Sequence, residues 1–289
     1  MERRITKQVQ GFRTKDGAGV SLVRVLGNQT VDDFDPFLML DAFDTTNPAD
    51  YIEGFPMHPH RGIETFTFLS HGSIMHKDHL GTIGMIHDGE AQWLTAGSGA
   101  FHEEMPQETP RLLGIQLWLN LPADKKMEAE PFYHGVLHDS VEELPLEGGT
   151  LRLMAGNYTD DAGVVHSAIQ GKYLPLDFYD IHLDEGASVT LPISAERSAM
   201  VFTLEGDAAV GGAAVAAKTA AKLGEGDSVT ISAPHEPIEI LLMSSIALHE
   251  PVAWYGPIVM NTTDELVTAF QEIQEGTFVK QAAHYENAE

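Results

Sequence analysis

The sequence predicts an all-β protein made of two tandem barrels that closes with a short helix. Three observations carry this expectation. Apolar stretches are short and often alternate with polar residues, as in Glu64-Thr65-Phe66-Thr67-Phe68-Leu69, Leu113 to Leu119, Leu151 to Met154 and Val229 to Ser232. Turn residues punctuate them: Asp88-Gly89, Gly97-Ser98-Gly99, Gly148-Gly149 and Gly226-Asp227. Short strands at regular spacing, bounded this way, argue a barrel or sandwich. Finally, a faint repeat runs through the chain. Residues 88–96 align with 225–233, and 68–72 align with 202–206. Two matches in the same order at nearly the same offset imply two copies of one β unit. The polar stretch 122–150 lies where a linker belongs, which places a first domain at 1–135 and a second at 136–289.

One segment carries a helical pattern. Thr262 and Glu265 form a capping box, Leu266, Phe270 and Ile273 fall on one face, and Gly276 can end the helix. A packing helix over residues 263–275 follows.

Composition narrows the function. The chain of 289 residues has 17 basic and 43 acidic side chains, a net charge of −26. Phosphate backbones and anionic membrane surfaces repel such a protein, so no direct nucleic-acid or membrane partner is expected. The absence of cysteine excludes thiolate metal sites, iron–sulfur clusters and cysteine nucleophiles. Met1 to Gly11 is polar, with Arg3, Arg4 and Lys7, and no apolar core follows, so a signal peptide is not expected and a cytoplasmic location is.

Seven of the 14 histidines crowd into residues 58–102. His58 and His60, and likewise His102 and Glu104, are two residues apart, and on a strand such residues share a face. Two adjacent strands would aim all four at one point inside a barrel. Three imidazoles and a carboxylate suit a divalent first-row ion. Fe(II) is the first choice, with Mn, Ni, Cu or Zn able to take the same ligands. The set leaves two octahedral positions open, as catalysis requires. Glu64 follows His60 by four with the same parity and is an alternative carboxylate, whereas Glu103 faces away. His71, His76, His79 and His87 surround an expected hairpin and read as solvated or hydrogen-bonded loop residues. Phe55, Met57, Phe66, Phe68 and Met105 are candidates for pocket walls, though barrel core is the better reading for most of them. Gln116 and Trp118 are further candidates to face the pocket.

The stretches His58-Pro59-His60-Arg61-Gly62-Ile63-Glu64-Thr65 and Gln92 through Pro106 resemble the two metal-site motifs of the pirin family, whose members are bicupins. The likeness continues through residues 114–120 and 256–261, and so spans nearly the whole chain. It implies two cupin (jelly-roll) barrels, with His58, His60, His102 and Glu104 as metal ligands in the first and Glu104 preferred over Glu64. The histidines find no counterpart in the second repeat, so an equivalent metal is not expected there. The resemblance also implies a quercetin 2,3-dioxygenase type of activity on a flavonol or a related aromatic or enol, with dioxygen and with Glu104 as catalytic base. Its alternative is a metal- and redox-dependent regulator that binds a transcription factor or a metabolic enzyme. Two barrels in one chain already imitate a dimer, so a monomer is expected.

Overall fold

The computed structural model describes residues 1–79, 81, 83–160, 162–280 and 284–286. The chain forms two compact units. One, here the first barrel, comprises residues 13–31, 37–138 and 248–289. The other, the second barrel, comprises 1–12, 32–36 and 139–247. The chain crosses from the first barrel to the second after His138. The ends of the chain, however, are exchanged: the opening residues belong with the later barrel and the closing residues with the earlier one.

Eight strands make the frame of the first barrel: β1 (Phe37–Thr45), β2 (Phe55–His60), β3 (Ile63–His71), β4 (Ile74–Asp78), β5 (Ile83–Ile86), β6 (Ala91–Thr95), β7 (Ala100–Pro106) and β8 (Leu112–Asn120). They pair as β1-β8-β3-β6 in one sheet and β2-β7-β4-β5 in the other. Two sheets with these orders are a jelly roll. The second barrel repeats the plan with β9 (Leu176–Leu183), β10 (Ser188–Pro192), β11 (Ser198–Glu205), β12 (Ala208–Val210), β13 (Ala213–Val215), β14 (Thr219–Leu223), β15 (Ser228–Ser232) and β16 (Ile238–Ser245). Its orders are β9-β16-β11-β14 and β10-β15-β12-β13, so each strand has its counterpart eight places on. Val20–Leu26 extends the first sheet beyond β1, and Ile5–Gln10 extends the sheet of the second barrel beyond β14.

The repeat seen in sequence is therefore real but half out of step. The match of 68–72 with 202–206 joins β3 to its counterpart β11. The match of 88–96 with 225–233 joins β6 to β15, whose counterpart is β7. Glycine turns after strands look alike at this level, and only the strand pairing separates them.

The helix α1 (Thr263–Glu275) forms as expected. The Thr262 hydroxyl accepts from Glu265 N–H, the Glu265 carboxylate accepts from Thr262 N–H at 2.8 Å, and Gly276 closes the helix at φ 70°. Leu266, Phe270 and Ile273 pack with Ile258, Met260 and Phe278, all in the first barrel. Among the described residues no helix is long and apolar enough to cross a membrane.

Candidate metal centre

The first barrel has a layered interior. The inward residues of β3 read Ile63, Thr65, Thr67 and Leu69. Those of β8 read Leu112, Gly114, Gln116 and Trp118. Apolar side chains thus lie at both ends: Phe43, Leu69, Ile74 and Leu112 at one, Met39, Ile63, Ala100 and Trp118 at the other. The layer between them is polar.

His58, His60 and His102 meet in that layer. β2 and β7 are antiparallel neighbours with His58 directly opposite His102, so the three histidines converge as their periodicity implies. One ring nitrogen of each histidine lies within 4.8 Å of the others. The orientations are specific. The Nδ1 of His58 is 2.9 Å from Pro56 O, and the Nδ1 of His60 is 3.0 Å from Pro257 O. The Nδ1 of His102 is 3.4 Å from the Nδ1 of His76. Each ring is held through one nitrogen and presents Nε2 to its neighbours, as a metal-bound imidazole must. The Nε2 atoms of His58 and His60 are 3.0 Å apart, and that of His102 is buried with no hydrogen-bond partner. A buried nitrogen without a partner is costly, and a cation at the point of convergence would satisfy all three. Burial, reinforced by His58, lowers His60 to about 3 and pushes His102 well below the usual histidine range. The His60 and His102 rings are therefore neutral, the form that ligates.

Glu104 lies on the same strand face as His102, but its carboxylate stands outside the 4.8 Å group. It is held by three donors: Thr67 Oγ1 at 3.0 Å, Gln92 Nε2 at 2.6 Å and Gln116 Nε2 at 2.5 Å. Both amides are keyed from behind. Tyr133 O–H donates to Gln92 Oε1, and Trp118 Nε1–H donates to Gln116 Oε1, which turns each NH2 toward the carboxylate.

Glu64 does not approach the cluster. β2 ends at His60, Arg61 and Gly62 turn the chain into the other sheet, and β3 begins at Ile63. Parity restarts there, so Glu64 shares a face with Phe66 and Phe68, opposite Thr67. It accepts from Thr95 Oγ1 at 2.6 Å with the Trp93 side chain beside it, and burial raises its carboxyl to about 7. The turn itself is tightly seated. Gly62 has φ +80°, and a Cβ there would come 1.9 Å from Val259 O. The buried Arg61 guanidinium donates to Ser98 O and Phe278 O, both at 2.7 Å, pairs with Glu272 and stacks on the Phe278 ring. The segment after residue 248 thus clamps the loop that carries His60.

Sequence reasoning misplaced His76. It is not a loop residue but lies fully buried on β4, stacked on Tyr133 with ring centroids 4.3 Å apart and next to His102. Its position follows from β4 pairing with β7, His76 opposite Glu104, which spacing alone does not reveal. His71 and His87 are exposed, and His79 is half-buried against the backbone of Phe101. Gln92 and Thr67 were also missed as site residues, and alternation along β3 and β6 was the available signal.

A cavity of about 510 Å³ opens onto His58 and His60. Phe55, Gln116, Trp118, Trp254 and Met39 form its walls, and an Arg24–Asp41 ion pair lies at its margin. Phe55, Gln116 and Trp118 were expected there. Phe66 and Phe68 are instead fully buried core on the opposite face of β3, and Met57 is exposed.

Comparison with known proteins agrees with this architecture. Residues 19–119 match the pirin family model, and residues 178–279 match that of the pirin C-terminal cupin domain. A pirin-like protein of Caulobacter vibrioides is 41% identical over 279 residues, 96% of this chain and 99% of that one. This chain belongs to the pirin family. Among solved structures, a quercetin 2,3-dioxygenase from Acinetobacter baumannii superimposes with a TM-score of 0.87 at 30% identity, covering 96% of this chain and 99% of that chain. A bacterial pirin from Escherichia coli, in complex with nickel(II), shares the fold at TM-score 0.59 and 18% identity, covering 83% of this chain and 98% of its own. As a pirin-type cupin with this histidine cluster, the chain has a site suited to a metal ion.

Proposed function

We propose that this pirin is a metal-dependent dioxygenase that cleaves flavonols of the quercetin type. The observation that carries the reading is the convergence of three imidazoles, two of which, His58 and His60, line an open cavity with aromatic walls. His58, His60 and His102 would hold the ion, most simply Fe(II), with Glu104 as the fourth ligand and proton acceptor. When bound, the ion supplies Lewis acidity and redox chemistry toward dioxygen and a chelating substrate. The remaining work falls to the protein. Trp118, Trp254 and Phe55 offer flat apolar surfaces for an aromatic ring system and exclude water from it. Glu104 takes the proton of the substrate hydroxyl, and Thr67, Gln92 and Gln116 hold the carboxylate for that transfer. Gln116 both lines the cavity and binds Glu104, which links the substrate space to the base. The name of the Acinetobacter relative supports the substrate class.

The test is oxygen uptake by the iron-loaded chain with quercetin, alongside detection of carbon monoxide. Uptake and carbon monoxide in equal amounts are expected. Failure to consume oxygen with quercetin or related flavonols by fully loaded protein would overturn the proposal.

A further inference from the structure

The second barrel carries a ligand set of its own, away from its interior. On β9, Tyr179, Ile181 and Leu183 point into the aliphatic core, so Asp180 and His182 share the opposite face. Glu239 on β16 pairs directly across from His182. One ligand atom each of Asp180, His182 and Glu239 lies within 4.8 Å of the others. Bonds of about 2.0–2.2 Å to a common centre close such a group with small side-chain shifts.

We infer that Asp180, His182 and Glu239 form a second divalent-cation site, distinct from the three-histidine centre. Two features point to a cation beyond mere proximity. Asp180 is fully buried, and while its Oδ2 accepts from Arg152 and lies 3.1 Å from His182 Nε2, its Oδ1 has no hydrogen-bond partner. Carboxylates also gather here: Asp180 and Glu143 both pair with Arg152, and Glu239 lies beside Asp180 and His182. One imidazole with two carboxylates is a borderline-to-hard donor set suited to Mn(II) or Zn(II). Arg152 would remain on Oδ2 of Asp180, orienting the carboxylate as second partners of metal ligands do. His182 is half-exposed, so the ion has a path from solvent.

The test is titration of chelator-stripped, full-length protein with MnCl2, followed by calorimetry and by the EPR signal of free Mn(II). The expected result is one Mn(II) equivalent that persists in His102→Ala and weakens at least tenfold in both Glu239→Gln and His182→Gln. Glu239 is buried, so His182→Gln, at a half-exposed ring, guards against loss through misfolding. If no equivalent shows this dependence, whether because only the histidine centre binds or because both variants titrate like wild type, the second site is refuted.

Discussion

The two barrels share one strand plan and fill it in opposite ways. The interior of the second is apolar and chiefly aliphatic: Leu153, Ile181, Leu191, Val201, Val229 and Leu242 belong to one continuous cluster. The first interrupts its apolar core with a buried polar layer of His60, His76, Gln92, His102, Glu104 and Gln116. The His58–His102 strand pair has aliphatic counterparts on β10 and β15, where Leu191 faces Val229. Burying polar groups costs stability unless each is hydrogen-bonded, and the keyed glutamines show how far the first barrel goes to meet that condition. A jelly roll thus accommodates a polar centre when its end layers remain apolar and its buried acid, Glu104, is hydrogen-bonded on every side the cradle reaches.

The contrast breaks most sharply at the histidines. His102→Ala should lower metal affinity more than a hundredfold, read by elemental analysis after gel filtration, with the second barrel unaffected. Retention of a full metal complement would remove His102 from the site. Next in size, Glu104→Gln should reduce flavonol turnover about 10²–10⁴-fold, the range for a lost general base, while circular dichroism stays native. Unchanged turnover would exclude Glu104 as the base. In the second barrel, Leu242→Ala should cost about 2–5 kcal/mol in denaturant unfolding, as a cavity in a tight aliphatic core does, and leave metal binding at the histidines as it was. Equal losses of stability and metal would show that the barrels do not divide these tasks.

The smallest effect separates Glu64 from Glu104, two of the buried acids of the first barrel. Because burial raises Glu64 from 4.5 to about 7, the folded chain keeps a proton that the unfolded chain releases between those pH values. The associated stabilisation is complete below pH 4.5 and is lost as pH rises through about 7. Glu64→Gln should therefore match wild type near pH 4.5 and exceed it by up to about 3 kcal/mol above pH 7, with metal content unchanged. Loss of the metal in this variant would return Glu64 to the ligand set.

Much of the fold was legible because it rests on local rules. Period-two pairs brought His58, His60 and His102 together, and the Thr262–Glu265 capping box marked the helix. What escaped depended on which strands pair. Counting parity from His60 to Glu64 failed because the Arg61-Gly62 turn moves the chain between sheets. His76 and the Thr67–Gln92–Gln116 cradle come from β3, β4, β6 and β8, and only the register of those strands shows that they converge on Glu104 and His102. The exchange of chain ends left no signal in the composition.

That exchange has a consequence for how the molecule is made. The carbonyl that fixes His60 belongs to Pro257, and the groups that clamp Arg61 belong to Glu272 and Phe278. A ribosome translates residues 139–247 before it reaches any of them. The histidines are translated early, but the residues that finish their pocket are among the last to be made.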